Sequence, residues 1–168
     1  MRGNVKLILA IVISVSILAF SYVSFAKIRS EAAPDFVLKS ATGKNIRLSE
    51  LKGRVIMLNF WATWCGPCAE EIPYLNKLHD SLDPYDFELL GINLDEDQSK
   101  AMHLANKLDM NFPILFDVQK DVSKSFSVDA MPTTIIIDRS GKIRHVNRGF
   151  KKGYEKRYYE QIQALRKE

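Results

Sequence analysis

After residue 33 the chain alternates two hydrophobic patterns: short, dense apolar runs, and longer stretches in which apolar residues recur every three or four positions. Dense runs of roughly 4–8 residues suit buried strands, while the three-and-four spacing suits helices with one apolar side. Residues 36–39 and 45–48, on either side of a turn containing Gly43, predict a hairpin. The run Val55-Ile56-Met57-Leu58-Asn59-Phe60 predicts a central strand covered on both faces, and residues 67–82 a helix. Further along, 87–93 predicts a second buried strand, 98–108 a helix, 113–116 a short strand and 118–126 a helix. Residues 133–137 and 142–146 then predict a hairpin across Arg139-Ser140-Gly141, and 154–166 a closing helix. Strands alternating with helices imply an α/β domain with a mixed central sheet and helices on both faces, the terminal hairpin supplying an antiparallel edge.

The N-terminus follows a different pattern. Residues 7–26 carry no charge, and about 20 apolar or small residues suffice to cross a bilayer core. Arg2 and Lys6 precede the run, and Ser24-Phe25-Ala26 offers a small-x-small cleavage pattern, so a retained anchor and a cleaved signal both fit. The run is longer than the ~7–15 apolar residues of a signal peptide, which favours an anchor, and the short basic start favours N-terminus in and domain out. The chain then divides into an anchor or signal segment at 1–26, a polar linker at 27–33 and one domain at 34–168, with Pro34 marking where the fold begins. A formal net charge of +4 with 26% charged residues is too mild and too mixed for a nucleic-acid binder. The basic residues Lys151, Lys152, Lys156 and Arg157 read as a solvated helix face, with anionic lipid contact the lesser alternative.

Both cysteines lie in one run, Trp64-Cys65-Gly66-Pro67-Cys68, where the central strand gives way to a helix. The start of a helix turns unpaired N–H groups and positive dipole toward the first sulfur, favouring thiolate, so Cys65 is the candidate nucleophile. Cys68 lies one turn on, placed to attack a mixed disulfide at Cys65 and release the product. Pro67 suits a first turn because its missing N–H had no partner there. A zinc site would need about four ligands, and His79, His103 and His145 lack ligand spacing. A Cys–His hydrolase would lose its nucleophile to the neighbouring thiol, and inert core cysteines are the bland alternative.

Glu71 breaks the pattern of its helix. Counted from Cys68, the positions Glu71, Leu75, Leu78 and Leu82 form the apolar stripe, whereas Glu70 falls on the face of Tyr74 and Lys77. Burial raises a carboxyl's pKa, and such a group beside the resolving thiol can accept and return its proton. The alternative is a solvated glutamate at the stripe's edge. Pro73 cannot donate to the carbonyl of Ala69, so a kink is expected there.

The segments Ala33-Pro34-Asp35-Phe36, Leu48-Ser49-Glu50-Leu51-Lys52-Gly53, the run from Asn59 through Trp64 to Cys68, and Met131-Pro132-Thr133-Thr134 together resemble the thioredoxin superfamily. Within it the chain is similar to the membrane-anchored, extracytoplasmic oxidoreductases of the TlpA/ResA/CcmG type. The resemblance implies a thioredoxin-like fold with an N-terminal β-hairpin extension and an inserted helix and strand between Asp95 and Asp117. It makes Pro132 a cis-proline facing the dithiol, with Met131 offering main-chain hydrogen bonds to an extended substrate and Trp64 contributing to substrate binding. Gly66, Pro67 and Asn59 support the site. Thioredoxin keeps a buried aspartate where this chain has Asn59, which places more weight on Glu71, whose counterpart in ResA-like proteins has a proton-handling role.

The activity implied is thiol:disulfide exchange, in the reducing direction by analogy with the Gly-Pro dipeptide of reducing thioredoxins. No cofactor or metal is implied. Expected partners are disulfide-containing proteins, apocytochrome c during haem attachment among them, and a membrane-embedded dithiol relay as electron donor; general thiol repair is another task of this kind. The expected location is a bacterial cytoplasmic membrane with the domain outside. Two other classes lack their signatures in this chain. A peroxiredoxin would need a P-x-x-x-T-x-x-C signature, but Leu58 and Ala62 stand at its first two positions; a Sco-like copper carrier would need C-x-x-x-C with a partner histidine.

Overall fold

The computed structural model describes residues 31–168. The expected membrane helix falls outside them.

Five strands form the main sheet: β3 (Val55–Trp61), β4 (Phe87–Asn93), β5 (Ile114–Phe116), β6 (Thr133–Ile137) and β7 (Ile143–Arg148), in the order β5-β4-β3-β6-β7. β3 pairs in parallel with β4 and β4 with β5, whereas β6 and β7 run antiparallel. All seven β3 side chains are buried, because this strand has a neighbour on each side and packing on each face. A separate hairpin joins β1 (Val37–Lys39) and β2 (Asn45–Arg47), followed by a 3-10 turn at Leu48–Leu51.

The described residues form four α-helices: α1 (Gly66–Asp80), α2 (Gln98–Lys107), α3 (Asp121–Ser125) and α4 (Tyr154–Arg166). Their distribution is uneven. Strand alternation sends Val55, Met57 and Ile136 to one face, where Leu75 and Leu78 of α1 and Ile162 and Leu165 of α4 meet them. Ala101 and Ala105 of α2 join that side through Trp61, Ile72 and Ile114. The opposite face, with Ile56, Leu58, Phe60 and Ile135, is covered by Phe36, Leu48, Val122 and Phe126, from the hairpin region and α3 and its C-cap. Helices do lie on both faces, but the second carries only the five residues of α3, and the N-terminal hairpin fills the rest.

Local chemistry sets several boundaries. The helix expected at 118–126 starts at 121, because Asp117 accepts hydrogen bonds from the N–H groups of Val122 and Ser123 while Lys120 takes a left-handed conformation. The last strand extends two residues beyond the expected 146, with Asn147 and Arg148 pairing opposite Thr134 and Thr133. Pairing begins before Pro34, since Ala32 bridges Lys142 and Ala33 donates to Gly141. The two N-terminal motifs meet at Asp35, which accepts from the N–H and hydroxyl of Ser49. Asn76 of α1 donates to the carbonyls of Leu108 and Asp109, fixing the end of the inserted helix against the helix that carries the cysteines.

Candidate active site

β3 ends at Trp61 and α1 begins at Gly66, so the turn between them presents Cys65 as the residue capping α1. Cys65 and Cys68 form a disulfide with an S–S distance of 2.03 Å. The Cys65 sulfur also accepts from the Cys68 backbone N–H at 3.2 Å, an orientation that stabilises negative charge on Cys65 after reduction. Accessibility separates the two sulfurs' residues: Cys65 is 5% exposed and Cys68 1%, while Trp64 beside them is 68% exposed. Gly66 and Pro67 are exposed on the first turn. A substrate therefore meets Trp64 and the Cys65 side of the pair first.

The peptide bond between Met131 and Pro132 is cis, and Met131 packs against the cluster containing both cysteines. Pro132 is buried, and its carbonyl accepts from Gly149 N–H at 2.7 Å. Among the described residues, the backbone hydrogen bonds of loops and turns leave the Met131 peptide groups unused. That is the arrangement an incoming extended segment needs.

Glu71 lies fully inside, as its position on the apolar stripe predicted. The α1 helix continues through Pro73, which is exposed. One Glu71 carboxyl oxygen accepts from the Tyr158 hydroxyl at 2.9 Å and from the Thr134 hydroxyl at 3.3 Å. Its other oxygen accepts from the Asn59 amide at 2.8 Å, and the same amide nitrogen donates to Thr134 at 3.0 Å. Desolvation outweighs these three donors and raises the carboxyl from 4.5 to about 7. Burial and the neighbouring Glu71 carboxylate hold the Tyr158 hydroxyl well above its ordinary value. The Asn59 carbonyl oxygen is buried without a partner, so turning the amide over supplies an acceptor to Glu71 when it is protonated. Glu71, one turn beyond Cys68 on the same side of α1, thus sits in a network that accommodates both of its protonation states.

Three members of this site escaped the sequence reading. Tyr158 stands on the apolar stripe of α4 with Ile162 and Leu165, a pattern that marks burial without revealing a partner. Thr134 is one of two buried threonines that open the strand before three isoleucines, which is a usable signal for a buried hydrogen bond. Asp95, just after β4, accepts from both the N–H and the hydroxyl of Thr63 at 2.8 Å and from the Asn93 amide at 2.8 Å. It ties the turn before Trp64 and Cys65 to the end of the neighbouring strand.

A redox dithiol at the first turn of a helix, on a thioredoxin-like sheet and packed against the residue that precedes a cis-proline, defines a thiol-disulfide oxidoreductase. Comparisons with known proteins agree. The model of the AhpC/TSA family matches residues 30–146. The thiol-disulfide oxidoreductase ResA of Geobacillus thermodenitrificans is 34% identical over 158 residues, spanning 89% of this chain and 91% of that protein. ResA of Bacillus subtilis is 36% identical over 117 residues, 70% of this chain and 65% of that one. A crystal structure of a candidate thiol:disulfide interchange protein DsbE from Chlorobium tepidum superposes with a TM-score of 0.78 at 33% identity, covering 82% of this chain and 97% of that one. The chain belongs to the AhpC/TSA family and, within it, to the ResA-like thiol-disulfide oxidoreductases.

Proposed function

We propose that this protein reduces disulfides in other proteins on the outer side of a bacterial cytoplasmic membrane, held there by residues 7–26. The observation that carries the reading is the Cys65–Cys68 disulfide at the start of α1, beside exposed Trp64 and the cis Met131–Pro132 bond.

In the reduced protein, the Cys65 thiolate attacks one sulfur of the substrate disulfide. A Cys65–substrate disulfide forms, the substrate S–S bond breaks, and the departing thiolate takes up a proton. Cys68 loses its proton to the Glu71 carboxylate and attacks the Cys65 sulfur, restoring the internal disulfide and expelling the second substrate thiolate. Two electrons pass to the substrate, and a membrane dithiol relay returns two electrons and two protons to the Cys65–Cys68 pair. Met131 main-chain groups align the substrate segment, and Trp64 covers it. Apocytochrome c, whose thiols must be reduced before haem attachment, is a substrate of this class; the ResA and DsbE relatives support the exchange chemistry common to all such substrates.

Substitution tests the roles of the two cysteines. Cys68→Ser is expected to trap a substrate as a lasting mixed disulfide on Cys65, whereas Cys65→Ser abolishes reduction of insulin disulfides. Alkylation of Cys68 before Cys65 at neutral pH, measured by peptide mass spectrometry on the reduced protein, would reverse the assignment.

A further inference from the structure

A groove of about 440 Å³ lies alongside α1, lined by Glu70, Pro73, Tyr74, Lys77, Phe150 and Lys152. Its aromatic walls are packed: the rings of Tyr74 and Phe150 lie 5.6 Å apart, and Phe150 meets Tyr154 at 6.2 Å. Arg157 stacks over Tyr154 at 3.9 Å from the ring centre. Phe150 follows Gly149, whose N–H bonds to the carbonyl of Pro132, so the far wall is fastened to the loop that faces the dithiol.

Position and charge point to one occupant. Along α1, Glu70 lies five residues and Lys77 twelve residues beyond Cys65, or about 8 to 18 Å at ~1.5 Å per residue. An extended peptide advances ~3.3 Å per residue, so a chain joined to Cys65 would reach the groove about two to five residues from its own cysteine. Lys77 and Lys152 line the groove, Lys151 is exposed next to it, and Glu70 is the single carboxylate in the lining. None of these three lysines is engaged in an ion pair among the described residues. We propose that this groove is a docking site for an acidic segment of the substrate protein, a few residues from the cysteine under attack, with aromatic or aliphatic side chains against Tyr74 and Phe150 and carboxylates near Lys77 and Lys152. The proposal rests on the disulfide-exchange reading above. It makes the site selective for sequence around the target cysteine, through attraction that speeds encounter. A basic surface can also meet anionic lipid, but the walls are built from α1 and from the segment between β7 and α4 that Gly149 ties to Pro132, which places the groove in reach of a Cys65-bound chain.

The test uses the reduced full chain in detergent and two peptides, each with one cysteine activated as a disulfide with thionitrobenzoate. They share an aromatic residue and differ only in carrying three aspartates or three lysines two to five positions from the cysteine. The aspartate peptide is expected to react about tenfold faster at low salt, an advantage that shrinks in 0.5 M NaCl and reverses in the Lys77→Glu/Lys152→Glu double variant. Equal rates for the two peptides would overturn the proposal, as would an acidic preference that the double variant retains. Binding of short-chain phosphatidylglycerol by the full chain in detergent, lost in the double variant and unaccompanied by any peptide preference, would assign the surface to lipid instead. Reaction of the wild type with hydroxyethyl disulfide reads the exchange chemistry alone: its failure would overturn the oxidoreductase reading, whereas its success with equal peptide rates would overturn only the groove.

Discussion

Glu71→Gln is the perturbation that reads the buried network most directly, because its effect on stability has a sign and a pH range set by the structure. In the folded protein the carboxyl titrates at about 7 instead of 4.5, so between those values the folded state binds more protons than the unfolded chain. Stability therefore falls as pH rises through this range: the contribution is fully present below about pH 4.5 and lost above about pH 7. The gap between 4.5 and about 7, at roughly 1.4 kcal/mol per pH unit, amounts to about 3 kcal/mol. A glutamine has no such slope. It can accept from Tyr158 through its carbonyl and donate to the unpartnered Asn59 oxygen once that amide turns over, so the variant retains its hydrogen bonds. Urea unfolding of the oxidised domain between pH 4.5 and 8.5 should show Glu71→Gln gaining about 3 kcal/mol on the wild type, nearly all of it by pH 8. Glu70→Gln, exposed on the same turn, should run parallel to the wild type. Parallel curves for all three proteins would refute the buried, titrating carboxyl and with it the proton-transfer role.

Removing the Tyr158 hydroxyl with Phe deletes a donor that holds the Glu71 carboxyl down, so the pH dependence of turnover and stability should move to higher pH; an unshifted profile would mean the 2.9 Å bond has no influence on the site. Gly91, in the middle of β4, has no room for a methyl group: a Cβ there would lie 2.9 Å from a Phe112 ring carbon and 3.2 Å from the Trp61 indole nitrogen. Gly91→Ala should cost about 1–3 kcal/mol in urea unfolding, and an unchanged midpoint would show that these rings yield freely. Carbonate washing of membranes should leave the full-length chain in the pellet, and recovery of a soluble species beginning at Lys27 would show that residues 7–26 act as a cleaved signal.

The sequence by itself determined the elements and the chemistry that depends on short spacing. Residues 87–93 and 154–166 form the strand and helix their patterns predicted, because each segment's own periodicity states which face is apolar. The dithiol was legible because Cys65 and Cys68 are one helical turn apart at a strand-to-helix junction, and Glu71 was legible as buried because the stripe of α1 passes through it. Tertiary structure alone decided what Glu71 meets. Thr134 and Tyr158 lie 63 and 87 residues away in sequence, and they converge on it only because β6 pairs with β3 and α4 packs on the same sheet face as α1. The short α3 has the same origin, since Asp117 captures the N–H groups of Val122 and Ser123 and displaces the helix start from the apolar pattern. A local pattern encodes which side of an element is buried. Which distant polar group waits on that side depends on strand order and helix packing, and this chain's buried carboxyl takes its pKa from that arrangement.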